Sequence, residues 1–269
     1  MTETYFYLVT ILSLGLFYWL NKSAWRPLAP SNHLEAPSTL PHANRRRAKT
    51  TLSPGLALNY AILWICQLSM AALAGWISNL TRFPPPIMPI MLLTTSATTV
   101  LALSRYGKRL AAKSSLVALV ALHSFRFPLE LILHMLYKAG KLPSAMTFAG
   151  MNYDIVTGIS ALMLAGLLLF RRKKDTHEAV DSATQTATII CVILWIFNIM
   201  GTVLLFTIVS IAVLSMPLAV FDRIRPFDVE IANTLPVEYP YIWLPLFLVQ
   251  LAWFGHLLLF RRLFAMQRD

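Results

Sequence analysis

Charge is scarce in this chain: 13% of its 269 residues are Asp, Glu, Lys or Arg, 57% are hydrophobic, and the mean hydropathy is +0.62. Soluble globular domains carry about 25% charged residues, so that class is excluded. Cysteine is nearly absent, and Cys66 and Cys191 both sit inside apolar stretches, which argues against a disulfide framework or a zinc ribbon. There is no G-x-S-x-G elbow, phosphate loop, dinucleotide fingerprint, C-x-x-C-H or H-E-x-x-H, so the enzyme classes marked by those motifs are excluded. No internal repeat or low-complexity tract occurs, which sets aside a transporter built from matched inverted halves.

Long apolar runs are what the chain has instead. Seven of them, near residues 4–20, 56–80, 86–103, 115–137, 154–170, 187–215 and 241–260, approach the roughly 20 residues needed to cross a hydrocarbon core. The expectation is an all-α, polytopic protein of seven transmembrane helices forming one domain over residues 1–269. The first and fifth runs are short. The sixth is long enough to tilt or to continue beyond the bilayer.

The formal net charge of +11 does not indicate nucleic acid, because the basic residues cluster beside the apolar runs as membrane flanks do. Counted loop by loop, one side of the membrane holds seventeen Lys and Arg and the other five. That bias places the N-terminus outside and the C-terminus in the cytoplasm. Met1-Thr2-Glu3-Thr4 brings no basic region before the first run, which reads as an uncleaved membrane helix.

The connectors give coarser expectations. Pro27, Pro30, Pro37 and Pro41 followed by Arg45-Arg46-Arg47 describe an irregular cytoplasmic loop whose arginines face lipid headgroups. Residues 105–113 read as a basic loop, Pro84-Pro85-Pro86 as a stiff turn, and the acidic stretch 216–240 as a cap on the outer face. Tyr239-Pro240-Tyr241-Ile242-Trp243 reads as an interfacial aromatic belt, and Ala71-x-x-x-Gly75 and Thr94–Thr99 as close helix-packing surfaces.

The fourth run carries charge through its middle. At about 100° per residue, His123, Arg126, Glu130, His134 and Tyr137 fall within an arc of roughly 80°. Ionisable groups at bilayer depth cost about 2.5–3.5 kcal/mol each on insertion scales, so such a stripe turns toward a bundle interior or a wet cavity. With a rise of 1.5 Å per residue, His123 lies about 12 Å and Glu130 about 22 Å from the cytoplasmic end. His123, His256 and Asn198 then share the inner half, and Glu130, His134, Asn152 and Asp154 the outer half, with Arg126 between. Pro128 removes a backbone donor and predicts a kink beside Arg126 and Glu130. Residues 141–153 are too polar to span and too apolar for a plain loop. They predict a segment dipping back into the outer mouth, with Asn152 or Asp154 capping the fifth span and Asp154 aimed at Arg126 or His134.

Phe125-Arg126-Phe127-Pro128-Leu129-Glu130, the Met146–Gly158 run and Trp243-Leu244-Pro245 followed by His256 resemble an uncharacterised family of bacterial multispan inner-membrane proteins. The resemblance covers roughly the second half of the chain and implies a bacterial inner-membrane location without an activity. The span number and the buried His and Asp are also similar to the seven-helix hydrolases that include alkaline ceramidases and adiponectin receptors. Their seventh helix carries paired histidines; this chain has His256 alone there.

Three functional readings follow. The first is a polar cavity formed by Arg126, Glu130, His134, Asn152 and Asp154, with His123, Asn198 and His256 inward, that binds or conducts a small solute or protons in a lipid bilayer. The second is an intramembrane enzyme in which His123, His256 and His134 hold zinc, or the histidines hold haem, and act on a lipid-like substrate; no cofactor is favoured. The third is a structural or accessory subunit whose stripe docks helices, with Arg126 and Glu130, spaced i, i+4, neutralising each other.

Overall fold

The computed structural model describes residues 2–25, 53–80, 83–174 and 180–267. The prolines and arginines of the first connector and Arg82 lie outside them. Among the described residues every regular element is helical. Five helices are long and apolar enough to cross a membrane, or six if one bent pair counts as a single span. Large apolar side chains such as Leu63, Leu92, Met163, Ile196 and Val203 face outward. An apolar exterior over a packed interior is the signature of a membrane protein.

Helix α1 is Thr2–Trp25, and α2, Pro54–Leu73, starts on Ser53, whose hydroxyl accepts from the Leu56 amide at 3.2 Å. The α2 run ends earlier than its apolar pattern, because Gly75 takes φ of 74° and turns the chain. A Cβ on Gly75 would meet only the Ser78 hydroxyl, so Ala71-x-x-x-Gly75 is a turn and not a packing surface. Helix α3 is Ile87–Leu103.

Residues 105–113, expected as a loop, form a second helix, α4 (Arg105–Lys113), set at 61° to α3. Ser104 makes the elbow by accepting from the amides of Tyr106 and Gly107. Gly107 permits it, since a Cβ there would overlap the Ala102 carbonyl. Some of the basic residues counted as membrane flanks have specific partners here. Arg261 donates to the Ala102 and Ser104 carbonyls at 2.6 and 3.2 Å, Arg262 donates to the Ala112 carbonyl, and Arg109 lies over the Trp25 ring at 4.1 Å. Arg261 and Arg262 close the C-terminal ends of α3 and α4.

The charged fourth run is the axis of the bundle. It comprises α5 (Leu116–Ala121), a 3-10 turn (Leu122–Phe125) and α6 (Arg126–Lys138). The break from α-helix falls in that turn, directly before Arg126 and just ahead of Pro128. Over this run 72% of the apolar window is buried, against 28% in α1 and 22% in α2, so its stripe faces protein.

Helix α7 (Ile155–Lys174) packs beside α5 and α6, and α8 (Val180–Leu214) runs 35 residues, about 52 Å at 1.5 Å per residue. A short α9 (Ala219–Asp222) follows. The last span begins with a π-helical stretch, Leu244–Leu248, around Pro245 and continues as α10 (Val249–Met266). The widened turn offers the Leu246 carbonyl to Trp64 Nε1 at 3.0 Å.

Two packing expectations resolve differently. Tyr241, Ile242 and Trp243 are buried against Phe6 and Tyr7, and Trp243 Nε1 donates to Ser69, so the aromatic cluster is core at that end and not a surface belt. The Thr94–Thr99 face does pack a helix: Thr99 accepts from Trp253 Nε1 on α10 at 2.9 Å. Trp253→Phe is expected to cost about 1 kcal/mol of unfolding free energy in mixed micelles. An unchanged value would mean the bond contributes nothing.

Candidate functional site

The stripe of α6 is matched from three other elements. Arg126 Nε donates to Asp154 Oδ2 at 2.6 Å, and Nη2 pairs with Oδ1, a side-on bidentate grip. Nη1 reaches the Gly201 carbonyl of α8 at 3.3 Å and His256 Nε2 of α10 at 3.0 Å. Arginine has no acceptor, so His256 Nε2 is the unprotonated nitrogen and Nδ1 carries the hydrogen. Nδ1 then donates to Asn198 Oδ1 at 2.8 Å, while Asn198 Nδ2 donates to the His256 carbonyl.

On the other side of Asp154, Asn152 ties the connector to α6. Its Nδ2 donates to Glu130 Oε2 at 2.7 Å and to the Met146 carbonyl at 3.1 Å, and its Oδ1 accepts from the Asp154 amide. Residues 141–153 fold inward: Leu142, Met146 and Thr147 are fully buried around a 3-10 turn at Ser144–Met146. The Asp154 carbonyl accepts from the Thr157 and Gly158 amides at the start of α7, while its carboxylate goes to Arg126 and not to His134. Asn152→Ala removes three bonds at once. It should cost about 1–3 kcal/mol and raise amide exchange across 144–153, the check being hydrogen exchange in micelles.

The structure thus joins Arg126, Asp154, Asn152, Glu130, His256 and Asn198, with Arg126 linking His256 and Asn198 on one side to Asp154, Asn152 and Glu130 on the other. His134 is left out: its ring stacks on Phe148 at 4.5 Å between centroids, beside Tyr137. His123 touches the cluster only by its face, 4.1 Å from the His256 ring, with neither nitrogen hydrogen-bonded. Replacing His123 by Leu should therefore be neutral or stabilising, because it removes two buried unpaired polar atoms. A loss above about 2 kcal/mol would show that those nitrogens have partners.

A metal fits poorly. Among the described residues no group of three His, Cys, Asp or Glu is placed to hold an ion. His123 and His256 present ring faces to each other, Arg126 occupies Nε2 of His256, and His134 is elsewhere.

Three glycines that sequence reasoning passed over make these approaches possible. A Cβ on Gly158 would collide with the Phe127 backbone, one on Gly201 would lie 2.6 Å from His256 Cε1, and one on Gly255 2.8 Å from His123 Nε2. Each lies within about one helical turn of a polar member: Gly158 after Asp154, Gly201 after Asn198, Gly255 beside His256. That spacing is the signal that could have found them.

Beside the cluster lies a cleft of about 80 Å³ between α3, α6, α8 and the start of α10. Among the described residues Arg126, Glu130 and Asp154 are its only charged lining, and the remaining walls are apolar. The expected polar cavity is therefore an apolar one with a charged floor, and neither His134 nor Asn152 lines it. Comparison with family models, curated proteins and solved structures finds no match.

Proposed function

We propose that this chain is a bacterial inner-membrane protein of seven spans, with its N-terminus outside and its C-terminus cytoplasmic, and that the cleft beside Glu130 binds a small solute with an apolar body. Seven spans are supported by adding the bent α3–α4 pair and the apolar stretch Ile155–Arg171 of α7 to the five longer helices, and orientation by the uneven distribution of Lys and Arg.

The observation that carries the functional reading is the cleft itself. A space of about 80 Å³ exceeds the roughly 10–15 Å³ that one water needs, so it has room for a few waters or one small molecule. Its walls suit an apolar body, and Glu130 offers one polar anchor. Protons moving along the stripe are less well supported, because Arg126 interrupts the chain and does not deprotonate.

Thermal shift tests this with small apolar-bodied solutes on purified full-length protein. Ligand at about 100 times its Kd should stabilise by about 2.7 kcal/mol, and Ala252→Phe, which fills the cleft wall, should abolish the effect. An equal response in Ala252→Phe, or none in wild type, would sink the reading. Stoichiometric zinc or iron in the purified protein would move the assignment to an intramembrane enzyme. A scaffold role is favoured by the partners Arg126 has on Asp154, Gly201 and His256; it predicts that Glu130→Gln loses stability and no ligand response.

A further inference from the structure

The charges at the cleft floor do not cancel. Arg126 is neutralised by Asp154 in the bidentate pair, and Glu130 forms no ion pair among the described residues. Its one hydrogen-bond partner from a side chain is the neutral Asn152 amide. The groups that approach it are Arg126 on its own helix, Asn152 and Asp154 from the connector, and, beyond Arg126, the neutral His256 of α10. Among the described residues, helices α3 and α8 present no ionisable side chain to the cleft. An ionised Glu130 thus leaves one negative charge facing apolar walls, and a buried charge of that kind needs a counter-charge.

The walls also say which counter-charge. A bare metal ion needs about six oxygen ligands and would find one carboxylate. Met88, Met91, Met146, Met216 and Phe125 line the space, giving polarisable sulfur and an aromatic face. The Phe125 face attracts an alkylated ammonium group, and the polarisable thioethers pack against its methyls. Building on the solute-binding reading above, we infer that the ligand class is a small organic cation of the quaternary-ammonium type, held by Glu130 in exchange for a proton. Atoms balance simply: the carboxyl O–H bond of Glu130 breaks, the proton leaves to solvent, and the cation takes its place without a covalent bond. The charged part must be the ammonium alone, because Arg126 is committed to Asp154 and cannot also receive a phosphate.

The test compares choline with 3,3-dimethylbutan-1-ol, its neutral isostere, by calorimetry on the full-length protein in maltoside micelles. Choline is expected to bind roughly 30-fold more tightly than the alcohol. It should release up to about one proton per cation in weak buffer, and bind more weakly in slightly acid than in slightly alkaline solution. Glu130→Gln should lose the preference and the proton release together. Should that variant fail to fold, the proton release and pH dependence of the wild type decide. If both compounds bind equally and Ala252→Phe abolishes both, the cation assignment falls while the cleft reading stands. If neither binds, both fall. If dodecylphosphocholine competes with choline, the site takes a lipid headgroup and the free-cation assignment is overturned.

Discussion

Replacing Asp154 with asparagine is expected to destabilise the folded protein by about 3–5 kcal/mol, the largest effect of any single polar substitution in the bundle. Arg126 is 1% exposed, and its Nε and Nη2 both point at the Asp154 carboxylate. Asparagine keeps the size of the side chain and removes the charge. The guanidinium is then left at depth with the Gly201 carbonyl and His256 Nε2, both neutral acceptors. Unfolding in mixed micelles, followed by circular dichroism, measures the loss. The double replacement Arg126→Met with Asp154→Leu separates an unpaired charge from lost packing. It should recover most of the stability, since apolar pairs of similar volume commonly match a buried ion pair. A loss below about 1 kcal/mol for Asp154→Asn would mean that water reaches the arginine and the pair is not sealed.

The second large effect is expected at Gly158. An added methyl would strike the backbone nitrogen and Cα of Phe127, atoms that no rotamer change can move. Gly158→Ala must therefore push α7 away from α6, and a cost of about 3 kcal/mol is expected, the upper end for overpacking. Since α7 follows directly on Asp154, the same displacement should loosen the Arg126 pair and expose residues 144–153 to hydrogen exchange. Gly166, on the same helix, is the control, because a Cβ there meets nothing within 4 Å. Gly166→Ala should be neutral or gain up to about 1 kcal/mol through helix propensity. Equal behaviour of the two variants would remove the close-approach argument.

The helices were readable because apolar runs of spanning length have few other ways to satisfy their backbone. The stripe on α6 was readable because charged side chains recur there on one face. Boundaries went wrong where local chemistry overrode hydropathy. Ser104 and Gly107 turned a supposed loop into α4, Gly75 stopped α2, and the π-helical turn at Pro245 changed how the last span begins. The site was half readable. Arg126, Glu130, Asn152, Asp154, Asn198 and His256 were all singled out, and Arg126 was one of two partners expected for Asp154, but the Asn152–Glu130 and Arg126–His256 contacts were not foreseen, and His134 stacks on Phe148 instead.

Composition and periodicity by themselves determined that the chain is helical, apolar outside and charged along one face of its fourth run, since these depend on residues close in sequence. Only the tertiary structure decided that Arg126 pairs with Asp154, that His256 accepts from it, and that Glu130 is left facing an apolar cleft. Those partners lie 28 and 130 positions from Arg126, and glycines on three different helices set how closely they approach. Which of two carboxylates takes the arginine depends on how the backbones of neighbouring helices meet, and that is a property of their packing that no local pattern encodes.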